Sequence, residues 1–315
     1  MALLHVSAPE AEGPEDVQVD ASGRVLTGTG DGRILRFTLD EAGRTDHSEV
    51  LARTGGRPLG LEVTADDGLL VCDARRGLLR VDTRAGSVEV LADEVDGRPL
   101  RFCSNVTEAS DGTVYFTVSS RRHGLEAWLG DILEHTGTGL LVRLRPGGEP
   151  EVLLDGLQFA NGVALAPDES FLIVAETGAY RLTRFWLTGP RAGRRDTFLD
   201  GLPGFPDNIS RSPGGLYWIA IASPREPALD WLHRRSGTVR RAAGAMGAAV
   251  TRLRARPRTT VRVLAVDSES RIVHDLVLRR SPYRMVTSVC AFGDGLVLGS
   301  LNERGVAVCG PPRTR

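Results

Sequence analysis

Phe159-Ala-Asn-Gly-Val-Ala-Leu-Ala-Pro-Asp-Glu-Ser-Phe-Leu-Ile-Val-Ala175 sets two short apolar runs on either side of a Pro-Asp-Glu-Ser turn. Apolar runs of this length, broken by residues that favour turns, pair back on themselves as a β-hairpin. The same design recurs outward from this segment, at 13–29, 57–73, 102–117, 205–219 and 286–300. Each copy opens on a short loop, passes through one apolar run, turns at a polar tetrad that in five of the six contains glycine, and returns through a second run. A period of roughly 40 to 55 residues signals a blade-by-blade architecture. Six hairpins, each extended to a four-stranded blade, fill the 315 residues. The predicted fold is therefore all-β: a six-bladed β-propeller, with residues 1–315 forming a single domain.

Two stretches break the period. Residues 119–139 fall between strands of the third blade and carry His123 and His135, while 227–256 is rich in Arg and Ala and reads as helical. Both are long enough to lie over the channel as lids, the usual role of extended loops on a rigid scaffold. The second carries only a modest apolar stripe (Trp231, Leu232, Val239, Met246, Val250 and Leu253), so membrane contact is not expected.

Composition narrows the chemistry. All 39 basic residues are arginine, and the net charge is −1. No lysine is present to serve as a Schiff-base amine or a lysine general base. Nothing in the overall charge points to nucleic acid. Cys72, Cys103, Cys290 and Cys309 lie in or beside apolar runs without a C-x-x-C pair, which reads as buried free thiols. No signal-peptide pattern opens the sequence and no run reaches the length of a spanning helix, so a cytoplasmic location is expected. Trp186, Trp218 and Trp231 read as packing residues, and Glu176 as a hydrogen-bond partner between blades.

The inner strand of every blade begins at one mouth of the channel, and chemistry is expected there. Placed by the repeat, the residues at these starts are Glu15-Asp16, Leu59, Asn105, Asn161, Asp207-Asn208 and Ser288. Any one Asp or Asn alone reads as a turn former. Four blades offering an oxygen ligand in register, each just before an apolar strand, read as a site for a hard cation, which takes six to eight such oxygens.

Several motifs carry a resemblance: Gly-Pro-Glu-Asp, Gly-Arg-Pro-Leu-Gly, Phe159-Ala-Asn-Gly, Val174-Ala-Glu-Thr, Arg184-Phe-Trp-Leu-Thr-Gly-Pro and Gly204-Phe-Pro-Asp-Asn-Ile. Over nearly the whole chain the sequence resembles the strictosidine-synthase-like proteins. Their superfamily also holds the adipocyte plasma-membrane-associated protein, the paraoxonases and the gluconolactonases. The resemblance implies an axial calcium or other divalent cation. Paraoxonase-like ligands would be Glu15, Asp16, Asn105, Asn161, Asp207 and Asn208, and gluconolactonase-like ones Glu15, Asn105, Asn161 and Asp207. Two departures bear on activity. Thr287-Ser288-Val289 stands where strictosidine synthases place a catalytic glutamate, and Leu59 and Ala74 stand where paraoxonases place a histidine pair.

These readings converge on a calcium-dependent hydrolase of a lactone or other ester acting on a small molecule. Asp207 would serve as ligand and general base and Glu15 would anchor the ion, with lid residue His123 as a substitute proton carrier. A cyclase or lyase using the same pocket, and a non-enzymatic scaffold with a structural ion, are the alternatives.

Overall fold

Each of the six hairpins is present, and each gains further strands. The computed structural model describes residues 2–254 and 260–311; residues 255 and 256, at the end of the second expected insertion, lie outside that range. The chain forms six four-stranded antiparallel sheets. From the axis outward, blade 1 takes Val17–Val19, Val25–Gly28, Arg33–Leu39 and Thr45–Arg53. Blades 2 to 5 follow in chain order, opening on inner strands Pro58–Val63, Cys103–Glu108, Ala160–Leu165 and Gly204–Arg211. Blade 6 takes Val286–Phe292, Gly295–Ser300 and Arg304–Cys309, and borrows its outermost strand, Leu3–Glu12, from the other end of the sequence. That strand closes the ring by completing blade 6 with a segment from the start of the chain.

Local chemistry sets the hairpins. The Asp20 carboxylate accepts the Ser22 and Arg24 N–H groups, and Asp111 and Asp168 do the same for Thr113 and Ser170. Gly112 and Gly215 close their turns at φ of 78° and 80°, where a side chain would be strained. Between blades, alternate residues of facing sheets interlock: Ile173, Ala175 and Leu182 of blade 4 pack with Ile209, Tyr217 and Ile219 of blade 5.

The second strand of each blade runs antiparallel to the inner one, so the connection from second to third strand falls at the mouth where the inner strands begin. In blades 3 and 5 these connections are the two insertions. The first carries helix α1, Trp128–Glu134, and the second carries α2, Pro227–His233, and α3, Gly237–Arg254. Proline at the first position of α2 costs no hydrogen bond, because that N–H has no partner in the helix. Ile132, Leu229 and Leu232 pack on Leu59, Ala74, Phe102 and Phe159 at the mouth, with Trp128 and Phe205 at the margin. Each such burial contributes about 1.5 to 3 kcal/mol, so the lid is held down by apolar contact. Side chains of the expected stripe from Met246 onward lie outside the described residues. Trp231 is 56% exposed, with Arg235 stacked on it. Among the described residues no helix is long and apolar enough to cross a membrane.

Where α1 and α2 end, the rings of His135 and His233 lie 4.1 Å apart. Burial, and then the neighbouring His233 and Arg240, push His135 from 6.5 down to about 4; Arg181 acts in the same direction and Glu176 against it. A histidine depressed on folding stabilises the fold above 6.5, and that contribution is lost as pH falls toward 4. Acidification is therefore expected to loosen the lid, with Trp128 and Trp231 fluorescence changing between pH 6.5 and 4. The transition should disappear in His135→Phe; an unchanged transition in that variant would exclude the histidine pair as its cause.

Candidate functional site

In blades 2 to 6, three steps along the inner strand match two along its neighbour at the same point of the ladder. Pro58 to Leu61 lies opposite Asp73 to Val71, Cys103 to Val106 opposite Val118 to Phe116, and Ala160 to Val163 opposite Glu176 to Val174. Pro206 to Ile209 lies opposite Ile221 to Ile219, and Val286 to Val289 opposite Ser300 to Leu298. The extra residue is a β-bulge, a device that re-aims side chains. It divides the ring into two tiers. Glu15, Leu59, Ser104, Asn161, Asp207 and Thr287 form the tier nearer the mouth, and Asp16, Gly60, Asn105, Gly162, Asn208 and Ser288 the tier below. The sequence reading placed Asn105 and Asn161 at one level; the bulge separates them by a residue.

The two glycines of the lower tier follow from close backbone approach. A Cβ on Gly60 would stand 2.4 Å from the Asn105 Cα, and one on Gly162 would stand 2.4 Å from the Ile209 nitrogen. Threonine hydroxyls take up backbone carbonyls of the inner-strand starts. Thr27 donates to the Asp16 carbonyl, Thr117 to that of Asn161, Thr177 to that of Pro206 and Thr287 to that of Glu15, at 2.6 to 2.7 Å.

The six predicted ligands are brought together. Asn105 Nδ2 donates to Asp16 Oδ2 (3.4 Å) and to Asn208 Oδ1 (3.2 Å), while Asn208 Nδ2 lies 3.2 Å from both Glu15 oxygens. Asn161 Nδ2 donates to Asp207 Oδ1 at 2.6 Å, and its Oδ1 accepts the Ser104 hydroxyl at 3.0 Å. All six are at most 7% exposed. The backbone N–H groups of Val17 and Leu61 hold Asp16 in place from either side.

Three carboxyl groups so placed repel ionisation. Burial, with the charge of Asp207 and then Asp16 adding to it, raises Glu15 well above the usual range. Burial alone pushes Asp16 up to about 7 against its hydrogen bonds, and burial with the Asp16 charge pushes Asp207 up to about 8. Asparagine N–H groups lie among the carboxyl oxygens of the ring. Carboxylate and amide oxygens on one axis, with the acids held short of full ionisation, fit a hard divalent ion. Among the described residues no three His, Cys, Asp or Glu side chains form a ligand cluster by themselves.

His123 is not brought to the ring. Its Nε2 faces Glu134 Oε1 at 3.5 Å within the lid, and among the described residues it has no hydrogen bond to Asp207 or Glu15. Glu176 is buried and bonded to Arg181, Thr183 and the Gln158 N–H, in keeping with a structural role. Sequence reasoning missed the tier above the ring: Gly13, Arg57, Phe102, Phe159, Phe205 and Met285. Phe102, Phe159 and Met285 adopt the left-handed region there, at φ of 69°, 59° and 46°. Bulky residues in that region cost about 1 to 3 kcal/mol each and gather at functional sites. The recurring Phe before Ala-Asn-Gly and before Pro-Asp-Asn was the available signal.

Two family models match the chain: strictosidine synthase over residues 104–190, and the strictosidine synthase-like N-terminal region over residues 1–37. Strictosidine synthase-like protein 10 of Arabidopsis thaliana is 36% identical over 238 residues, which is 70% of this chain and 63% of that one. The adipocyte plasma membrane-associated protein of Rattus norvegicus is 36% identical over 234 residues, 69% of this chain and 60% of that one. The chain thus spans less than two thirds of the length of these curated relatives. A solved gluconolactonase from Xanthomonas campestris superposes with a TM-score of 0.67 at 20% identity, over 98% of this chain and 89% of that one. Regucalcin, a calcium-binding protein from Agrobacterium tumefaciens, gives 0.61 at 17% identity, over 99% and 96%. The chain is a six-bladed β-propeller, the fold it shares with these solved structures. Within that class it belongs to the strictosidine synthase-like family.

Proposed function

We propose that the chain is a divalent-cation-dependent hydrolase of esters or lactones, with calcium as the ion. The observation that carries this reading is the ring of three buried carboxyl groups and three asparagines on the channel axis, whose acids are held well above their ordinary range. Glu15, Asp16, Asn105, Asn161, Asp207 and Asn208 would hold the ion. When bound, such an ion polarises a carbonyl and lowers the pKa of water. Asp207 stands in the tier nearer the mouth and is the group best placed to take a proton from attacking water. Asn161 fixes its orientation through the 2.6 Å bond. The Thr287 hydroxyl, committed to the Glu15 carbonyl at 2.6 Å, cannot replace the glutamate of a condensing enzyme.

The test is metal content by mass spectrometry, with hydrolysis of phenyl acetate and γ-butyrolactone measured before and after chelation. Near-stoichiometric calcium and chelator-sensitive turnover are expected. One observation favours a second reading, an ion that only closes the propeller: the apolar lid sits flat over the mouth. Bound calcium without turnover on any ester would select it, and metal-free protein would sink both.

A further inference from the structure

Arg57 stands in the tier above the ring and is 5% exposed, the one buried arginine among the described residues. Its Nη2 donates to the Gly13 carbonyl across the mouth at 2.8 Å, and Gly13 leaves room for it, since a Cβ there would come within 3.2 Å of that nitrogen. Its Nη1 is buried with no hydrogen-bond partner among the described residues. Nor does the guanidinium form an ion pair among them, although Glu15, Asp73 and Asp31 attract it from a distance. Asp73 Oδ1 accepts the backbone N–H groups of Arg57, Arg75 and Arg76, and its Oδ2 is buried with no hydrogen-bond partner among the described residues. A buried donor on a charged group without a partner is costly. Glu176, buried in blade 4, is by contrast fully met by Arg181, Thr183 and Gln158.

Charge balance points to what meets this donor. As Asp207 takes the proton of attacking water, its negative charge passes to the carbonyl oxygen with the total unchanged, so a buried cationic donor at this level meets an anion only during the reaction. Phe102, Phe159 and Phe205 of the same tier belong to the apolar cluster beneath the lid, and apolar surroundings strengthen a hydrogen bond made to a charged group.

We propose that Arg57 is a catalytic residue whose Nη1 receives the oxyanion formed during ester hydrolysis; this rests on the hydrolase reading above. Water adds to the carbonyl carbon as Asp207 takes its proton, and the C=O electron pair moves onto oxygen, where Arg57 donates to it. The C=O bond then re-forms, the C–O bond to the alkoxide breaks, and the alkoxide recovers the proton from Asp207. Ester and water give acid and alcohol with nothing left over. A group that stabilises only the charged species lowers kcat on removal and leaves KM nearly unchanged.

The test uses Arg57→Met and Arg57→Lys in the full chain, with phenyl acetate as the neutral substrate and phenyl methylphosphonate as a stable tetrahedral anion. In Arg57→Met, kcat is expected to fall roughly 100-fold, as for loss of one oxyanion donor. KM should stay within about threefold and calcium content unchanged, with phosphonate binding by calorimetry weakened about 30-fold or more. Arg57→Lys should recover at least about tenfold of the lost kcat, and decides the matter if the methionine variant does not fold. Equal loss in KM and kcat, loss of calcium, or an effect confined to esters that carry a carboxylate would overturn the assignment. If no ester is turned over, the hydrolase reading fails by itself. Phosphonate binding that still depends on Arg57 would then uphold the anion site, and binding indifferent to Arg57 would reject it.

Discussion

Chelator is expected to lower the melting temperature of the purified protein by roughly 5 to 10 °C at pH 8 and by much less at pH 5, with added calcium restoring it. The magnitude follows from mass action: a ligand at a hundred times its Kd stabilises by about 2.7 kcal/mol. Each kcal/mol moves the midpoint of a sizeable domain by about 2 to 4 °C. The pH dependence follows from the acids. Burial lifts Asp16 from 3.8 to about 7 and Asp207 from 3.8 to about 8, and holds Glu15 well above 4.5. A carboxyl raised on folding binds its proton more tightly in the native state. Its stabilising contribution is complete below the unfolded value near 4 and is lost as pH rises through 7 to 8. Cation-free protein therefore weakens across that window, where a divalent ion has most charge to neutralise. Melting curves with equal pH dependence in chelator and in calcium would remove the basis for an ion in the ring.

Asp207→Asn should separate catalysis from stability. It is isosteric and keeps an acceptor for Asn161, but it removes the charge that, after burial, contributes most to raising Glu15. Hydrolysis is expected to fall by roughly 10² to 10⁴-fold with loss of the base. Calcium affinity should fall with it, while the chelated protein melts higher at pH 8 than the parent in chelator. Activity and calcium titrations alongside melting curves would check this. A variant that loses activity, affinity and cation-free stability together would instead mark Asp207 as a packing residue.

The propeller was legible because six hairpins repeat with their turn chemistry intact. Asp20 and Asp111 cap turns in the structure as their positions in the copies implied. The convergence of Glu15, Asp16, Asn105, Asn161, Asp207 and Asn208 was legible for the same reason, since an inner-strand start fixes where a residue falls along the channel. The tiers were not. A bulge adds one residue to one strand without altering the hydrophobic pattern around it, so the offset of Asn105 from Asn161 leaves no mark in the periodicity. The closing strand was hidden too: Ala8 and Ala11 are its fully buried core contacts, Ala8 is left-handed at φ 52°, and Pro9 interrupts the alternation. Arg57 escaped notice because blade 2 was read through Leu59, where no oxygen ligand stands. The two lids were recognisable as insertions, but their closure over Phe102 and Phe159 depends on contacts that sequence spacing does not specify.

The borrowed outer strand of blade 6 carries a consequence for biogenesis. Leu3–Glu12 pairs with Arg304–Cys309, and Glu15 and Asp16 follow within a few residues of it. While the chain is being synthesised, that strand keeps an unpaired edge until Arg304–Cys309 has emerged, and the two acids that follow it have no fixed place. Contacts between residues so far apart in sequence form late and slowly. Sealing the seam between Leu3–Glu12 and Arg304–Cys309 therefore also fixes where Glu15 and Asp16 stand in the ring.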